Sequence, residues 1–341
     1  MKGGPFDLLD ADGIKLLTTP NPHGKPNSDV LRLRVTAYDI LRRGEAGWII
    51  DFGVDRKPDE CVGYEGPWKY ATDFIKPVRE SNRRKKMAEK WWIHGEARPG
   101  MRRKLDGLSR VLVTPEVSKH RIFVWLPTTF LPDHKLRAIA FDSDLWFGIL
   151  HSHIHEAWAL KQGSRLQTRP CYTPTTCFET FPFPFRDDLV EPAVNVEAEL
   201  NAAKHYPHIV SREEPPLRNR DEERAAIADA AKELNELRER WLNPPEWTRT
   251  EYLEFPASED GPWARYVECG GKRSVTLLSS APGNQSTVAA AALSAQSKIG
   301  LARYPRLVAK DADCAAKLKQ RTLTKLYNER PAWLDLAHKK L

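Results

Sequence analysis

The chain has 341 residues, of which 41% are hydrophobic and 29% are charged, and its formal net charge is +7 at pH 7. A chain of this size and composition can bury the core of one large domain or of two modest domains. It contains neither an apolar run long enough to cross a bilayer nor a secretory signal at the N-terminus, so we expect no membrane partner. The five cysteines are odd in number and widely spaced, which argues against a disulfide framework and indicates the reducing cytoplasm.

Positive charge is concentrated in one stretch of the chain. Between Arg83 and Arg121, twelve basic residues accompany four acidic residues, so this stretch carries +8 while the whole chain carries +7. Such a field is typical of a surface that contacts the phosphates of a nucleic acid, although a solvated face without a partner could have the same composition. The candidate phosphate contacts are Arg83, Arg84, Lys85, Lys86, Arg102, Arg103, Lys104, Lys119 and Arg121.

The first hundred residues are predicted to contain strands, turns and an interrupted helix. Residues 47–53 (GWIIDFG) predict a buried strand that ends in a glycine turn. A helical stretch begins near Trp68, and Pro77 should break or kink it because proline lacks the N–H donor. Helix is then expected to resume through the basic stretch as far as Trp91 and Trp92.

Three strand signals follow, and after them a helix. The strands are predicted at residues 110–113, 121–126 and 136–141. Ser143 is a suitable N-cap for a helix that runs to about Lys161.

A polar loop at residues 163–176 carries the residue types that read the edges of bases. Arginine can donate two hydrogen bonds to guanine O6 and N7, glutamine can pair with adenine N6 and N7, and threonine and tyrosine suit phosphates or base edges. An ordinary surface loop could be equally polar. The alternating Phe and Pro residues at 178–184 cannot form a regular element, but their rings can pin the loop to a core. The candidate base-reading residues are Arg165, Gln167, Thr168, Arg169, Tyr172 and Thr173.

The pattern changes from Asn219 onwards. Asn219 and Glu222 form a capping-box signature, and apolar residues at helical spacing then predict one amphipathic helix over residues 219–241. A weakly patterned segment rich in Ser, Ala, Gly and Gln follows, and the chain ends in two short helical pieces around Pro331.

These patterns together predict an α+β fold. A mixed sheet-and-helix DNA-recognition domain is expected at residues 1–190, followed by a helical C-terminal region. That region divides into an amphipathic helical segment at 191–255, a flexible insertion at 256–302, and a helical tail at 303–341 that stops without a capping signal.

The histidines of the predicted helix raise the alternative of a metal-dependent hydrolase. On a helix, His151 and His155 share a face, while His153 points elsewhere. The His-Glu-x-x-His pattern of zinc proteases would need a histidine at position 159, where this chain has alanine. We therefore assign no metal ligand, and the hydrolase remains an alternative.

Two short motifs look like parts of a methyltransferase site but lack residues that the chemistry needs. Gly53 stands alone in its turn, whereas S-adenosylmethionine or a dinucleotide needs several small residues there. Asn243-Pro244-Pro245 is followed by Glu246, where the Asn-Pro-Pro-aromatic motif of amino-methyltransferases has a ring that stacks on the flipped base. We interpret the first as a strand-end turn and the second as a helix terminator, and we assign no catalytic residue.

Several longer stretches carry a family resemblance through their combination. They include PNPHGKPNSDVLR, WIIDFG, IKPVRESNRRKKMAEKWWIHGEARPGMR and RTLTKLYNERPAWLDLAH. They resemble the target-recognition region of MmeI-like DNA methyltransferases, which are bacterial, class I, adenine-N6-specific enzymes of restriction-modification and related phage-defence systems. The matching stretches are Pro20–Arg32, Trp48–Gly53, Ile75–Arg102, Thr114–Leu126, Phe147–Trp158, Thr173–Pro184, Arg238–Glu246 and Arg321–His338.

The resemblance implies DNA recognition in this chain and catalysis elsewhere. In the family, the motif for S-adenosylmethionine and the Asn-Pro-Pro-aromatic motif lie upstream of the region matched here, and the helical tail continues beyond it. The implied partner is double-stranded DNA, and the implied cofactor, S-adenosylmethionine, belongs to a catalytic core that this chain lacks. A split subunit, a truncated gene or a mis-assigned start would each explain this, and we expect the chain alone to be inactive.

A third hypothesis makes the chain a protein-docking module. It would use the amphipathic helix at residues 219–241 as its docking surface.

Overall fold

The computed structural model describes residues 4–21, 25–44, 47–184, 217–267 and 299–341. The described residues form an α+β fold, in which helices combine with four small sheets of two to four strands each. The predicted fold class is therefore confirmed.

The chain divides into two compact units, each built from three separate segments. Unit 1 comprises residues 1–115, 124–142 and 239–329, and unit 2 comprises residues 116–123, 143–238 and 330–341. This division differs from the linear series of domains expected from the sequence, because each unit completes its core with segments that are distant along the chain.

Unit 1 combines strands with short helices. Its strands are β1 (Asp7–Leu8), β2 (Leu31–Val35), β3 (Gly47–Ile50), β4 (Arg110–Pro115), β5 (Val124–Pro127), β6 (Phe130–Pro132), β7 (Leu136–Ile139), β10 (Thr248–Ser258) and β11 (Ile299–Ala309). Its helices are α1 (Asp10–Thr18), α2 (Ala37–Arg42), α3 (Pro58–Val62), α4 (Glu65–Tyr70), α5 (Lys76–Glu80), α6 (Lys85–Glu89), α7 (Pro99–Leu105), α11 (Ala312–Lys319) and α12 (Leu323–Glu329).

Unit 2 is mainly helical. It contains α8 (Asp144–His151), α9 (His153–Gln162), the strands β8 (Arg165–Leu166) and β9 (Arg169–Pro170), most of α10 (Leu217–Leu242), and α13 (Ala332–Lys339).

The core of unit 1 forms around a four-stranded sheet in the order β1-β3-β2-β6. β3 runs antiparallel to β1 and β2, and β6 runs parallel to β2. Trp48 and Ile50 of β3 are fully buried, as the apolar run of the predicted strand requires. Trp263 packs into the same core, where its Nε1 donates a hydrogen bond to the Leu31 carbonyl at 2.9 Å.

The helix predicted in this region does not stop at Pro77. α4 continues into a π-helical turn, Ala71–Ile75, and then into α5, whose first turn contains the proline. Proline lacks the N–H donor for the helical hydrogen bond, and the change of hydrogen-bond register in the π-helical turn directly before it accommodates this loss. Helix ends at Glu80 and resumes only over α6, so it does not reach Trp91 and Trp92, which lie in a turn.

A second sheet has the order β5-β4-β7, with antiparallel pairing throughout. The strands predicted at 110–113 and 136–141 are confirmed as β4 and β7. The strand predicted at 121–126 is shorter, because β5 begins at Val124 while Ile122 and Phe123 are fully buried as part of unit 2.

A two-stranded ribbon occupies the described ends of the predicted flexible insertion. β10 and β11 pair antiparallel over eleven residues each. Phe255, Ala257 and Ala302 are buried in the core of unit 1, which fixes both strands. The described ends of segment 256–302 are therefore regular structure, and residues 268–298 lie outside the described residues. The predicted helical tail likewise begins within β11 and becomes helical from α11 onwards.

Two helices of unit 2 replace the single helix predicted after the second sheet. Ser143 caps α8 as predicted, with its Oγ accepting from the Leu145 N–H at 3.3 Å. At Ser152 the backbone becomes extended, and its Oγ accepts from the His155 N–H at 3.2 Å, so this residue ends α8 and caps α9.

α10 confirms the predicted amphipathic helix. It begins at Leu217, so the expected capping residue Asn219 lies inside the helix. Ala230, Ala231 and Leu234 form its buried stripe. Within the described part of the chain, no helix is long and apolar enough to cross a bilayer.

Candidate nucleic-acid interface

The exposed part of the basic stretch lies mostly in unit 1, around α6 and α7. Lys85 pairs with Glu89 one turn later at 3.6 Å, but a solvent-exposed pair of this kind contributes at most about 1 kcal/mol and leaves the ammonium accessible to other anions. The predicted phosphate contacts with exposed side chains are Arg83, Arg84, Lys85, Lys86, Arg103 and Lys104 in unit 1 and Lys119 in unit 2.

Arg102 is a correction to the predicted phosphate contacts. Its guanidinium donates two hydrogen bonds to the Asp51 carboxylate, at 2.7 and 2.9 Å, and Asp51 is 5% exposed. Burial alone would raise the pKa of Asp51, but the hydrogen bonds and charge of Arg102, together with His94 and Arg32, hold this pKa below its ordinary value. Arg102 therefore fastens α7 to the residue that follows β3, whereas its neighbour Arg103 is exposed.

The predicted base-reading loop contains a short β-hairpin in unit 2, here called the recognition hairpin (residues 165–170). β8 and β9 pair antiparallel, and the two-residue turn Gln167-Thr168 joins them. The hairpin brings four of the six predicted base-reading residues onto one exposed tip. These four are Arg165, Gln167, Thr168 and Arg169.

The turn of the recognition hairpin has an unusual backbone. Gln167 has a φ of +57°, in the left-handed region that glycine adopts most easily. Two-residue hairpins need a positive φ at the first turn position, and a non-glycine residue there costs of order 1 kcal/mol or more. This position therefore has a long polar side chain at the tip where glycine would be less strained.

Tyr172 is a second correction, from base reader to buried support. Its side chain is 1% exposed, its hydroxyl lies 3.1 Å from His155 Nε2, and its N–H donates to the Glu116 carbonyl at 2.7 Å. Burial raises the pKa of this hydroxyl. Thr173 is half-buried, and its carbonyl accepts from the Cys177 N–H at 2.8 Å.

Arg121 is a third correction, because it is 8% exposed and cannot present its charge to a phosphate. Its guanidinium lies 4.8 Å from the ring centroid of Tyr172, and its Nη2 is 3.4 Å from the Pro170 carbonyl at the end of the hairpin. Burial lowers the pKa of Arg121 to about 10. Arg121 thus stabilises the recognition hairpin from inside unit 2.

Two of the three histidines at positions 151, 153 and 155 are buried and have structural roles in place of a metal site. His153 is exposed, whereas His151 and His155 are 5% and 0% exposed. His155 contacts the Tyr172 hydroxyl, and His151 Nε2 accepts from the Phe123 N–H at 3.2 Å. Among the residues that the structure describes, no group of three or more His, Cys, Asp or Glu side chains could hold a metal ion. The metal-dependent hydrolase gains no support from this geometry.

The two look-alike motifs have local structural roles. Gly53 has a φ of +85°, and its N–H donates to Asp51 Oδ1 at 3.2 Å, so the turn closes on its own carboxylate. Asn243 follows the last residue of α10, and its Oδ1 accepts from Arg43 at 2.6 Å. The structure therefore contains the predicted strand-end turn at Gly53 and the predicted helix terminator at Asn243.

Arg238 is an important residue that the sequence did not reveal. It is fully buried in unit 2, where its Nη2 donates to the Phe123 carbonyl at 2.9 Å and its Nη1 lies 3.1 Å from His151 Nε2. It thereby fixes the segment 116–123 that carries Arg121. The available signal was its position four residues after Leu234, in the register of the apolar stripe.

One family model matches part of the chain. Residues 71–185 match the family model of the MmeI target recognition domain. No curated protein matches the chain. Among solved structures, the chain is similar to the type IIL restriction-modification enzyme MmeI in complex with DNA, at 16% sequence identity and a TM-score of 0.46. That likeness covers 71% of this chain and 27% of the MmeI chain, so the chain spans well under two thirds of that enzyme.

Proposed function

We propose, from the premise that residues 71–185 are an MmeI-like target recognition region, that this chain recognises a specific sequence of duplex DNA for an adenine-N6 methyltransferase. The observation that carries the proposal is the recognition hairpin. It presents Arg165, Gln167, Thr168 and Arg169 together on an exposed tip, and these residue types hydrogen-bond to base edges in the major groove.

The basic residues around α6 and α7 have a different part in this proposal. Arg83, Arg84, Lys85, Lys86 and Arg103 contact phosphates, which adds affinity that does not depend on base sequence. In this proposal the basic residues bind double-stranded DNA of any sequence, and the recognition hairpin distinguishes the base sequence.

Catalysis belongs to a part of the enzyme that these residues do not supply. A catalytic core, on a separate subunit or on further polypeptide, provides the site for S-adenosylmethionine and flips the adenine. The complex works in the bacterial cytoplasm as part of restriction-modification or phage defence. The chain by itself transfers no methyl group.

The test is selection of bound duplexes from a random-sequence pool by the purified chain, repeated at increasing salt. We expect one preferred sequence and an affinity that falls steeply with salt, with a slope of about −0.9 per phosphate contact. Equal binding of all sequences would contradict recognition, and binding insensitive to salt would contradict the phosphate contacts.

Variants separate the two roles. Arg165→Ala or Arg169→Ala should relax the preference at one base position, whereas Arg83→Ala or Lys85→Ala should weaken binding to every sequence alike. Transfer of a labelled methyl group from S-adenosylmethionine to DNA by the purified chain would show that it contains catalytic residues after all.

A further inference from the structure

Leu166 is an apolar side chain at the tip of a polar hairpin, and it is 60% exposed. A single exposed leucine is common on protein surfaces and does not by itself indicate a binding site. Its place in the recognition hairpin makes it informative, because the exposed turn residues beside it are polar.

The strand register pairs Leu166 with Arg169. Residues directly opposite in an antiparallel pair point to the same face, with Cβ atoms about 4.5–5.5 Å apart. Arg165 and Pro170 form the other pair and point to the opposite face. One face of the hairpin therefore presents an apolar group beside a fork of N–H donors.

The hairpin holds this pair at a fixed position in unit 2. The Cys171 N–H donates to the Ser164 carbonyl at 2.8 Å, which closes the hairpin directly beyond its paired residues. Cys171 also forms a β-bridge with Val117, and the neighbouring Tyr172 is buried. The pair can therefore meet a ligand without first being ordered, which lowers the entropic cost of binding.

The chemistry of this face matches two adjacent base pairs. In the major groove, thymine is the base that presents a methyl group, and guanine presents O6 and N7 as two acceptors for arginine. Successive base pairs are separated by about 3.4 Å, and the flexible Arg169 side chain can span the difference between this step and the cross-strand Cβ spacing of about 4.5–5.5 Å.

We infer that Leu166 and Arg169 together read a thymine next to a guanine, Leu166 through the thymine 5-methyl group and Arg169 through guanine O6 and N7. This inference rests on the proposed function and adds Leu166 to the residues that determine specificity.

The test removes single groups from DNA and protein in combination. After selection of the preferred duplex by the full chain, each thymine is replaced in turn by deoxyuridine, which lacks only the 5-methyl group. At one thymine we expect the affinity of the unchanged protein to fall about 4-fold, the effect of one buried methyl group. Leu166→Ala should bind the two duplexes equally. Ile154→Ala, which alters another exposed apolar residue of unit 2, should keep the 4-fold difference.

The guanine is tested in the same way with 7-deazaguanine, which lacks the N7 acceptor. Replacing the guanine next to the responsive thymine should weaken binding by the unchanged protein and by Leu166→Ala, but not by Arg169→Ala. A preferred site without a methyl-dependent thymine, a responsive guanine that is not adjacent to it, or an equal methyl effect in Leu166→Ala would overturn the inference. Absence of any sequence preference would instead refute the proposed function.

Discussion

The two regions proposed to contact DNA are built in opposite ways. Around α6 and α7, exposed cations extend from short helices, and Lys85 pairs with an acidic residue one helical turn away. The exposed side chains of the recognition hairpin stand on a buried support, because Arg121, Tyr172 and His155 stabilise the hairpin from inside unit 2.

The difference follows from what each region would bind. Phosphates are identical and attract a flexible cation from a distance, so a loosely held side chain is sufficient. Base edges differ by the position of single donors and acceptors, so a side chain that distinguishes them needs a fixed origin. Substitutions in the two regions should therefore have separable effects on stability, selectivity and salt dependence.

The largest expected effect comes from Arg238→Met in unit 2. This change leaves the buried Phe123 carbonyl without its Arg238 donor and removes one of the two donors to His151 Nε2, which should lower the free energy of unfolding by about 3 kcal/mol. Urea denaturation measures the loss, and hydrogen exchange should show faster opening of residues 116–123. Arg240→Met, at an exposed position of the same helix, is the matched control, and equal losses in both variants would argue against this role.

A somewhat smaller loss of folding stability is expected when the pH is lowered. Burial lowers the pKa of His155 and of His338 to about 4 and that of His151 well below its ordinary value of 6.5. Between pH 6.5 and 4 the unfolded chain therefore binds protons that the folded chain does not, so stability falls as the pH falls. His155 alone should account for about 2 kcal/mol between pH 7.5 and pH 5.

Urea denaturation at a series of pH values tests this, with a pair of variants. Below pH 6.5, His155→Gln should make the free energy of unfolding depend less on pH. His153→Gln, at an exposed position, should leave this pH dependence unchanged. Equal slopes in the two variants would show that the buried imidazole of His155 is not the group responsible.

Gln167→Gly should separate stability from selectivity at the hairpin tip. Glycine adopts the φ of +57° without strain, so the melting temperature should stay the same or rise, corresponding to up to about 1 kcal/mol. The preference for one base should weaken, because the amide that would pair with adenine is gone. Thr168→Gly, at the turn position without a positive φ, should lower the melting temperature. A lower melting temperature for Gln167→Gly than for Thr168→Gly would contradict a strained backbone at Gln167.

The smallest expected effect is that of Arg103→Ala. It should reduce the slope of log affinity against log salt by about 1 and leave base preference and stability unchanged. Lys15→Ala, an exposed cation on α1 outside the basic stretch, should not change the slope. A change of base preference in Arg103→Ala would contradict the assignment of phosphate contacts to one region and base reading to the other.

Part of the fold could be predicted from the sequence, because some helices and strands depend only on the local pattern of residues. The apolar run of β3, the serine cap of α8 and the stripe of α10 are all local features, and the structure contains each of them. The ribbon of β10 and β11 was missed, because its pairing joins residues about fifty positions apart along the chain.

The candidate site shows the same limit. Arg102 and Arg103 are indistinguishable in composition and spacing, yet one is bound to Asp51 and the other is exposed. Tyr172 and Thr168 were both plausible base readers, but only a fold could place Tyr172 beside His155. Sequence reasoning identified the chemistry of the region, and long-range partners decided which residues remain accessible.

Unit 1 completes its core with segments that are synthesised late, because they lie far along the chain. Ser28 Oγ donates to the Pro256 carbonyl across 228 residues of chain, and Trp263 Nε1 donates to the Leu31 carbonyl across 232 residues. During synthesis the N-terminal sheet must therefore wait, with part of its apolar surface uncovered, until β10 has emerged. Long closures of this kind slow folding and favour aggregation of nascent chains. The order of synthesis, and not only the final packing, should thus limit how much of this protein reaches its folded state.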